Sequence, residues 1–315
     1  MKKKIEFLDL GQQPLANYYL DKNQINKKER KYRLIICFDN MSKLVSIKKT
    51  FSSKMMFNNK YPYRSSMSQT MQKSFKDLAQ QIKRKINPKK ILEIGSNDGS
   101  FLKNFHKKIS IGIEPCANVE KITKKQKFNT IPKYWNSKLA KSILKKYGEI
   151  DLIYSANTIS HIKDLNDVFK SIKIVLSPKG ILILEDPSLL ECLKRNTYDQ
   201  FYNEHIYVFS YLSLKAILKK FDLEIYKIQN LDIHGGSNRY FIKKINNKIA
   251  IEKSVVNQQI KEIKYGIDKK STYFKFKRRV ENSKKKLVSI FKFCKSKNKK
   301  IIGYGATAKA TTILN

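Results

Sequence analysis

Two short stretches of this chain carry side chains whose types and spacing could do chemistry. In "YDQFYNEHIYVF", from Tyr198 to Phe209, Glu204 stands directly beside His205, one of four histidines in the sequence, and Tyr202 and Tyr207 stand two residues to either side of that pair. An imidazole titrates near pH 6.5 when unperturbed, so it can take a proton at neutral pH, and an ionised carboxylate close by would raise its basicity. A phenol can donate a hydrogen bond to a developing oxyanion. The same residues also describe an aromatic-rich edge of a core element with a solvated acid, and on an extended strand Glu204 and His205 would point to opposite faces. The cluster alone does not choose between the two.

The second stretch is "EIGSNDG", a glycine turn between a short apolar strand and an expected helix. Glu93, Gly95 and Gly99 are in place, with Asn97 where a dinucleotide fold would usually have its middle glycine. Such a turn lets the backbone approach a ligand, with the helix N-terminus behind it. About fifteen residues after Gly99 the next strand ends in "GIEP", which places Glu114 where a carboxylate could take both hydroxyls of a ribose. Together the two features fit S-adenosylmethionine at least as well as NAD. The third strand end, "SANTISHI", makes Asn157 and His161 candidates for the cofactor's amino-acid end or a pocket wall. It lacks the Asn/Asp-Pro-Pro-aromatic signature expected of amino-directed methylation of DNA or RNA. Cys116, beside the expected adenosine, is poorly placed to attack a pyrimidine.

The elements that must hold these residues follow from the hydrophobic pattern. Residues 1–67 mix short apolar runs such as "YRLIICF" and "KLVSI" with turn-like stretches, which predicts a small β-rich module. Helical spacing sets in from Ser68 to about Lys85. Then "KKILEIGSNDGSFLKNF" reads as strand, turn and helix, followed by "ISIGIEP" (strand), "NSKLAKSILKKYG" (helix), "IDLIYSAN" (strand), "LNDVFKSIKIVLSPKG" (helix closed by Pro and Gly) and "ILILEDPS" (strand). Strands alternating with helices at this spacing predict a doubly wound parallel sheet. One more helix and an antiparallel strand pair complete a central domain over residues 68–247. Residues 248–315 read as a long charged helical connection, and "KKIIGYGATAKATTILN" as a further strand, glycine turn and helix.

Composition narrows the class. A chain of 315 residues with 41% hydrophobic content can bury about two cores. The formal charge of +40 would suit a phosphate backbone, but the lysines are spread along the chain and form no stripe with aromatic platforms. They also come with abundant isoleucine and asparagine, as an AT-rich genome produces without selection. Anionic metabolites, not nucleic acid, are the expected partners. Cys37, Cys116, Cys192 and Cys294 form no C-x-x-C pair, which argues against a disulfide framework and an intact cysteine-rich zinc site. No apolar run reaches the length of a spanning helix, and "MKKKIEFLDLG" has no signal-peptide core, so the expected location is cytoplasmic with no membrane partner.

Seven stretches, in order, resemble one known family: "FLDLGQQPLANYYL", "YPYRSSMSQTM", "LEIGSNDGSFL", "SANTISHIKDLNDVF", "FYNEHIYVFS", "HGGSNRYF" and "GYGATAKATTILN". The family is the nucleotide-sugar C-methyltransferases, which methylate C3 of 4-keto deoxysugars carried on a nucleoside diphosphate, for surface polysaccharides or glycosides. The resemblance implies an N-terminal zinc-binding module, a Rossmann-like class I methyltransferase domain, and a C-terminal Rossmann-like domain that helps hold the nucleotide sugar. The chain departs from it twice. Of the two cysteine pairs of the zinc module only Cys37 is present, and one thiolate cannot make a four-coordinate zinc site, so no metal is expected. The C-terminal Rossmann-like unit is incomplete at Asn315.

The implied chemistry needs a base, because a carbon next to a ketone becomes a nucleophile once its proton is removed. The resemblance carries His205, Glu204 and Tyr202 into the family's catalytic motif, and Tyr63 of "YPYRSS" into the active site as a tyrosine of the N-terminal module. Glu93, Gly95, Asn97, Gly99, Glu114 and Asn157 are the expected contacts to S-adenosylmethionine. His234, Ser237 and Arg239 could contact the sugar or its diphosphate, as could Lys309 with the turn Gly303–Gly305. Two other readings stay open: a methyltransferase for RNA or another small molecule, and a non-catalytic remnant that binds S-adenosylmethionine.

Overall fold

Buried apolar strands alternating with amphipathic helices build the centre of the molecule, and an antiparallel sheet formed largely by the first fifty residues packs against it. The structure, a computed structural model, describes residues 4–305 and 307–315. The basic start at Met1–Lys3 and Ala306 of the last glycine turn lie outside the described residues. Strands β1 (Ile5–Gln13), β2 (Tyr32–Phe38) and β3 (Val45–Ile47) pair antiparallel, and the short helix α1 (Ser53–Met56) follows. Helix α2 (Gln69–Lys85) starts where the Ser68 side chain accepts the Met71 N–H. Its Met71, Phe75, Leu78, Ala79 and Ile82 recur at helical spacing and are buried. Then come β4 (Ile91–Ile94), β5 (Ser110–Ile113), α3 (Ala117–Lys125), β6 (Asn129–Ile131), α4 (Ser137–Tyr147), β7 (Ile150–Ala156), α5 (Leu165–Val175) and β8 (Leu176–Pro187). The chain continues through α6 (Leu189–Arg195), β9 (Tyr207–Val208), α7 (Tyr211–Leu218), β10 (Leu223–Leu231), β11 (Ser237–Lys244), α8 (Lys253–Tyr265), α9 (Lys270–Ser296) and α10 (Ala310–Leu314).

The central sheet has the order β10-β11-β8-β7-β4-β5-β6. Its strands from β8 to β6 are parallel, and β11 and β10 are antiparallel additions. Every residue of β4 and β5 is buried, as a sheet with helices on both faces requires. From β4 the chain moves out through β5 to β6 and then returns to β7 on the other side. The crevice outside the carboxyl ends of β4 and β7 is therefore where an open parallel sheet takes its ligand. The expected Rossmann-like class I architecture is the observed one.

Three local expectations change. After the glycine turn there is only a 3-10 turn at Leu102–Asn104, because the Asn104 side chain donates to the Ser100 and Phe101 carbonyls that a helix would have used. Helix α5 stops at Val175, and "LSPKG" joins β8 in the sheet. Residues 301–305 pair with no described strand, and α10 packs on the central domain with Thr312 donating to the Phe201 carbonyl at 2.7 Å. Among the described residues no helix is long and apolar enough to cross a membrane.

Strand β9 is not part of the central sheet. Val208 and Ser46's partner Tyr207 extend the N-terminal sheet from β3, giving the order β1-β2-β3-β9. Phe7, Ile36, Phe38, Val45 and Val208 of that sheet form one core with Leu189, Leu193, Phe201, Phe276 and Val280. Deeper in the central sheet, Arg239 of β11 lies opposite Glu185 of β8 and pairs with its carboxylate at 2.8 Å, with both side chains buried. Gln229 and Ser74 accept its other N–H groups. Breaking such a pair leaves a buried charge without its partner, so Arg239→Leu is expected to lower stability by about 3–5 kcal/mol in denaturant unfolding. A loss below about 1 kcal/mol would contradict this placement.

Candidate active site

The glycine turn after β4 is held open by its own chemistry. Gly95 has φ +75°, and a Cβ there would come within 2.1 Å of Thr158 Oγ1 at the end of β7, so the position excludes a side chain. Asn97, also left-handed at φ +45°, sends its N–H to Glu114 at 3.0 Å. The other Glu114 oxygen takes the Cys116 N–H at 2.8 Å. Glu114 thus ties the first strand end to the second, and each of its oxygens keeps a further lone pair for a ligand. Burial raises its pKa, and these two backbone donors oppose the rise. Glu93 is buried, its Oε2 has no protein partner, and desolvation followed by Asp98 and Glu114 drives its pKa well up.

Over this turn lies the segment "YPYRSS". Asn97 donates to the Tyr63 carbonyl and accepts the Ser65 N–H, Asp98 accepts the Ser66 N–H, and Asn118 donates to the Tyr61 carbonyl. Between the segment and the sheet opens a cavity of about 840 Å³. Its wall includes Glu93, Gly95, Asn97, Glu114 and Asn157 on one side, and Tyr202, Glu204 and His205 on the other. Tyr63, though 41% exposed, also lines it, so the structure brings both sequence clusters and the N-terminal tyrosine to one space.

The "FYNEH" stretch is a turn, not an extended strand: the His205 N–H bonds the Tyr202 carbonyl at 3.0 Å and the Ile206 N–H bonds that of Glu204. That geometry puts Glu204 and His205 on the same cavity, where an extended strand would have parted them. His205 Nδ1 lies 2.9 Å from the Gln200 carbonyl, which can only accept. Nδ1 therefore carries the proton, and Nε2 offers its lone pair to the Tyr202 hydroxyl at 2.8 Å. Burial holds the imidazole neutral, with a pKa well below the usual histidine value. His161 stacks on it at 5.1 Å, backed by Phe57, and burial lowers its pKa to about 4. Glu204 is not bonded to His205. Its carboxylate accepts from Asn17 of the N-terminal module, and burial raises its pKa to about 7.

The expected phosphate and sugar contacts divide. His234 (φ +52°) and Lys309 line the cavity, and the Lys309 ammonium donates to the His234 carbonyl. Ser237 and Arg239 do not, because β11 is an interior strand: Ser237 donates to the Ile233 carbonyl and Arg239 is spent on Glu185. Gly99, expected to contact the cofactor, does not line the cavity, and Gly303 and Gly305 also lie off it. Several wall residues escaped sequence reasoning, Arg64, Gln200 and Asn17 among them. Arg64 could be suspected from its place in "YPYRSS", whereas Gln200 and Asn17 act through contacts that no spacing rule displays.

The family model described as "Methyltransferase domain" matches residues 63–228, more than half of the chain. The chain belongs to the S-adenosylmethionine-dependent methyltransferase family. A second model, "C-methyltransferase C-terminal domain", matches residues 232–315. The C-methyltransferase NovU of Streptomyces niveus is 26% identical over 226 residues, covering 71% of this chain and 54% of NovU. The chain thus spans about half the length of this curated relative. Among solved structures, an S-adenosylmethionine-dependent methyltransferase of Clostridium acetobutylicum aligns over 54% of this chain and 91% of its own, at 16% identity and a TM-score of 0.43. The PH0226 protein of Pyrococcus horikoshii aligns over 58% and 94%, at 16% identity and a TM-score of 0.44.

The residues of this methyltransferase fit its cofactor. The unpartnered Glu93 oxygen suits a cationic ligand, the spare lone pairs of Glu114 suit ribose hydroxyls, and the bare Gly95 backbone allows close approach. Glu114→Ala should weaken S-adenosylmethionine binding by about 1.5–3 kcal/mol, the scale of a hydrogen bond to a charged group, as read by calorimetry. Unchanged affinity would remove Glu114 from the site.

Proposed function

We propose that this methyltransferase is a cytoplasmic enzyme that adds a methyl group to C3 of a nucleoside-diphosphate 4-keto deoxysugar through an enolate. The observation that carries the reading is a neutral, buried His205 on the wall of the glycine-turn cavity, its Nε2 lone pair held by the Tyr202 hydroxyl. The C-methyltransferase C-terminal domain match and the NovU relative support carbon as the methylated atom. S-adenosylmethionine supplies an electrophilic methyl group on a sulfonium. The protein's part is to make the carbon nucleophilic and to hold the sugar.

The Nε2 lone pair can engage one proton at a time. Before substrate it takes the Tyr202 hydroxyl hydrogen bond; in the reaction it takes the C3 proton instead. The electron pair of the broken C–H bond moves into the enolate, and the Tyr202 O–H, released from Nε2, is free to donate to the enolate oxygen. Nδ1–H stays on the Gln200 carbonyl throughout, which fixes the ring. An ionised Glu204 on the same wall stabilises the imidazolium that forms. Lys309 and Arg64 provide cationic wall positions for the diphosphate, and the His234 turn allows close backbone approach to it.

His205→Asn should bind S-adenosylmethionine normally while methyl transfer from labelled cofactor to a panel of 4-keto nucleotide sugars falls by roughly 10²–10⁴-fold. In D₂O without methyl donor, wild-type protein is expected to wash deuterium into C3 and the variant is not. Near wild-type transfer by His205→Asn would move the base elsewhere. The pH profile tests Glu204: since both His205 and Glu204 must be unprotonated, the rate should rise with pH through about 7, where Glu204 ionises. Glu204→Gln should lower the plateau and erase that rise.

A further inference from the structure

Glu204 is an unusual acid to leave on a cavity wall, because among the described residues no cation is paired with it. Three titratable groups lie close enough to feel its charge: Tyr61 from the segment over the glycine turn, Cys116 from the turn after β5, and Tyr202 from its own loop. Burial pushes the pKa of each of these upward, so all three are neutral at pH 7 and supply no counter-charge. What meets the carboxylate is the Asn17 amide, whose Nδ2 lies 3.0 Å from Oε1 and 3.1 Å from Oε2. Asn17 belongs to the connection between β1 and β2, 187 residues away in sequence, and it lines the same cavity. Its φ of +59° is left-handed, a conformation that asparagine and glycine accept and most residues resist. The neighbouring contact, Asn203 Nδ2 to the Pro14 carbonyl at 2.7 Å, locks the two loops together at that point.

We infer that Asn17 is a positioning residue of the active site: its side-chain amide fixes the Glu204 carboxylate on the cavity wall and favours its ionised form. The N-terminal module thereby becomes a working part of the site, contributing a dipole that a lysine or arginine would have replaced with a full charge. A full positive charge would also oppose the imidazolium that His205 must become. An amide stabilises the carboxylate without that conflict. The inference rests on the proposed role of Glu204 in the reaction, but its first consequence, the ionisation of Glu204, can be read without any turnover.

The test is the titration of Glu204 in protein labelled with ¹³C at the glutamate carboxyls, its resonance assigned by its loss in Glu204→Gln. The wild-type midpoint is expected near 7. Asn17→Gly removes the amide and tolerates the left-handed backbone, and should raise the midpoint by roughly one pH unit, the scale of one hydrogen bond to a charged acceptor. Asn17→Asp keeps the side-chain shape and backbone preference but sets a second carboxylate there, so it should raise the midpoint at least as much, and it serves if the glycine variant fails to fold. The rising limb of methyl transfer should move to higher pH by the same amount, with S-adenosylmethionine affinity unchanged. An unmoved midpoint in the folded variants overturns the inference. If the midpoint moves but no 4-keto nucleotide sugar is methylated by wild-type protein, Asn17 stands as the group that sets Glu204, and the substrate reading fails instead.

Discussion

Everything on the far wall of the cavity depends on one short piece of pairing, the two registers by which β9 adds to β3 of the N-terminal sheet, Val45 with Val208 and Ser46 with Tyr207. A two-residue strand has little stability of its own; here it is fixed by the core that Val45 and Val208 share with Leu189, Phe201 and Phe276. Because β9 is held, the turn just before it has its ends fixed, and Tyr202, Glu204 and His205 are presented together. The N-terminal module serves in this way as the clamp that shapes the loop.

The electrostatic design of the site follows from burial without neutralising ion pairs. Glu93, Glu114 and Glu204 are all buried with raised pKa values, and desolvation is the largest cause for each. What offsets it for Glu114 and Glu204 is neutral donors: the Asn97 and Cys116 backbone N–H groups, and the Asn17 amide. The histidines of the cavity are driven the other way and kept neutral. The cavity wall is thus rich in groups whose charged forms burial disfavours, and a charged ligand entering it would shift them. The full cation near the heart of the chain, Arg239, is committed to Glu185 in the sheet and is lost to ligand binding.

Much of this was legible along the chain. The alternation of apolar runs with amphipathic windows located β4, β5, β7, β8 and the antiparallel pair β10 and β11, and the glycines of "EIGSNDG" marked the turn that Thr158 leaves no room to fill. "FYNEH" was recognisable by its residue types. Its conformation was not, because the groups that hold the turn, β3 beside β9 and the Gln200 carbonyl on His205, lie outside the motif. Likewise the helix expected after Gly99 is suppressed by the Asn104 side chain, and the strand expected near Ile301 has no described neighbour to pair with. Arg239 read as a substrate contact because a guanidinium near two glycines invites that reading; its register opposite Glu185 exists only once β11 lies beside β8.

By itself, then, the sequence determined the parallel-sheet architecture, the kind of cofactor and the candidate reactive residues, because periodicity, glycine turns and residue chemistry act over a few positions. The tertiary structure alone decided which of those residues share a cavity, which nitrogen of His205 carries the proton, and what Glu204 rests against. Those are contacts such as Asn17 with Glu204, across 187 residues, and they arise from packing one sheet on another, a consequence of the whole core that no local pattern encodes.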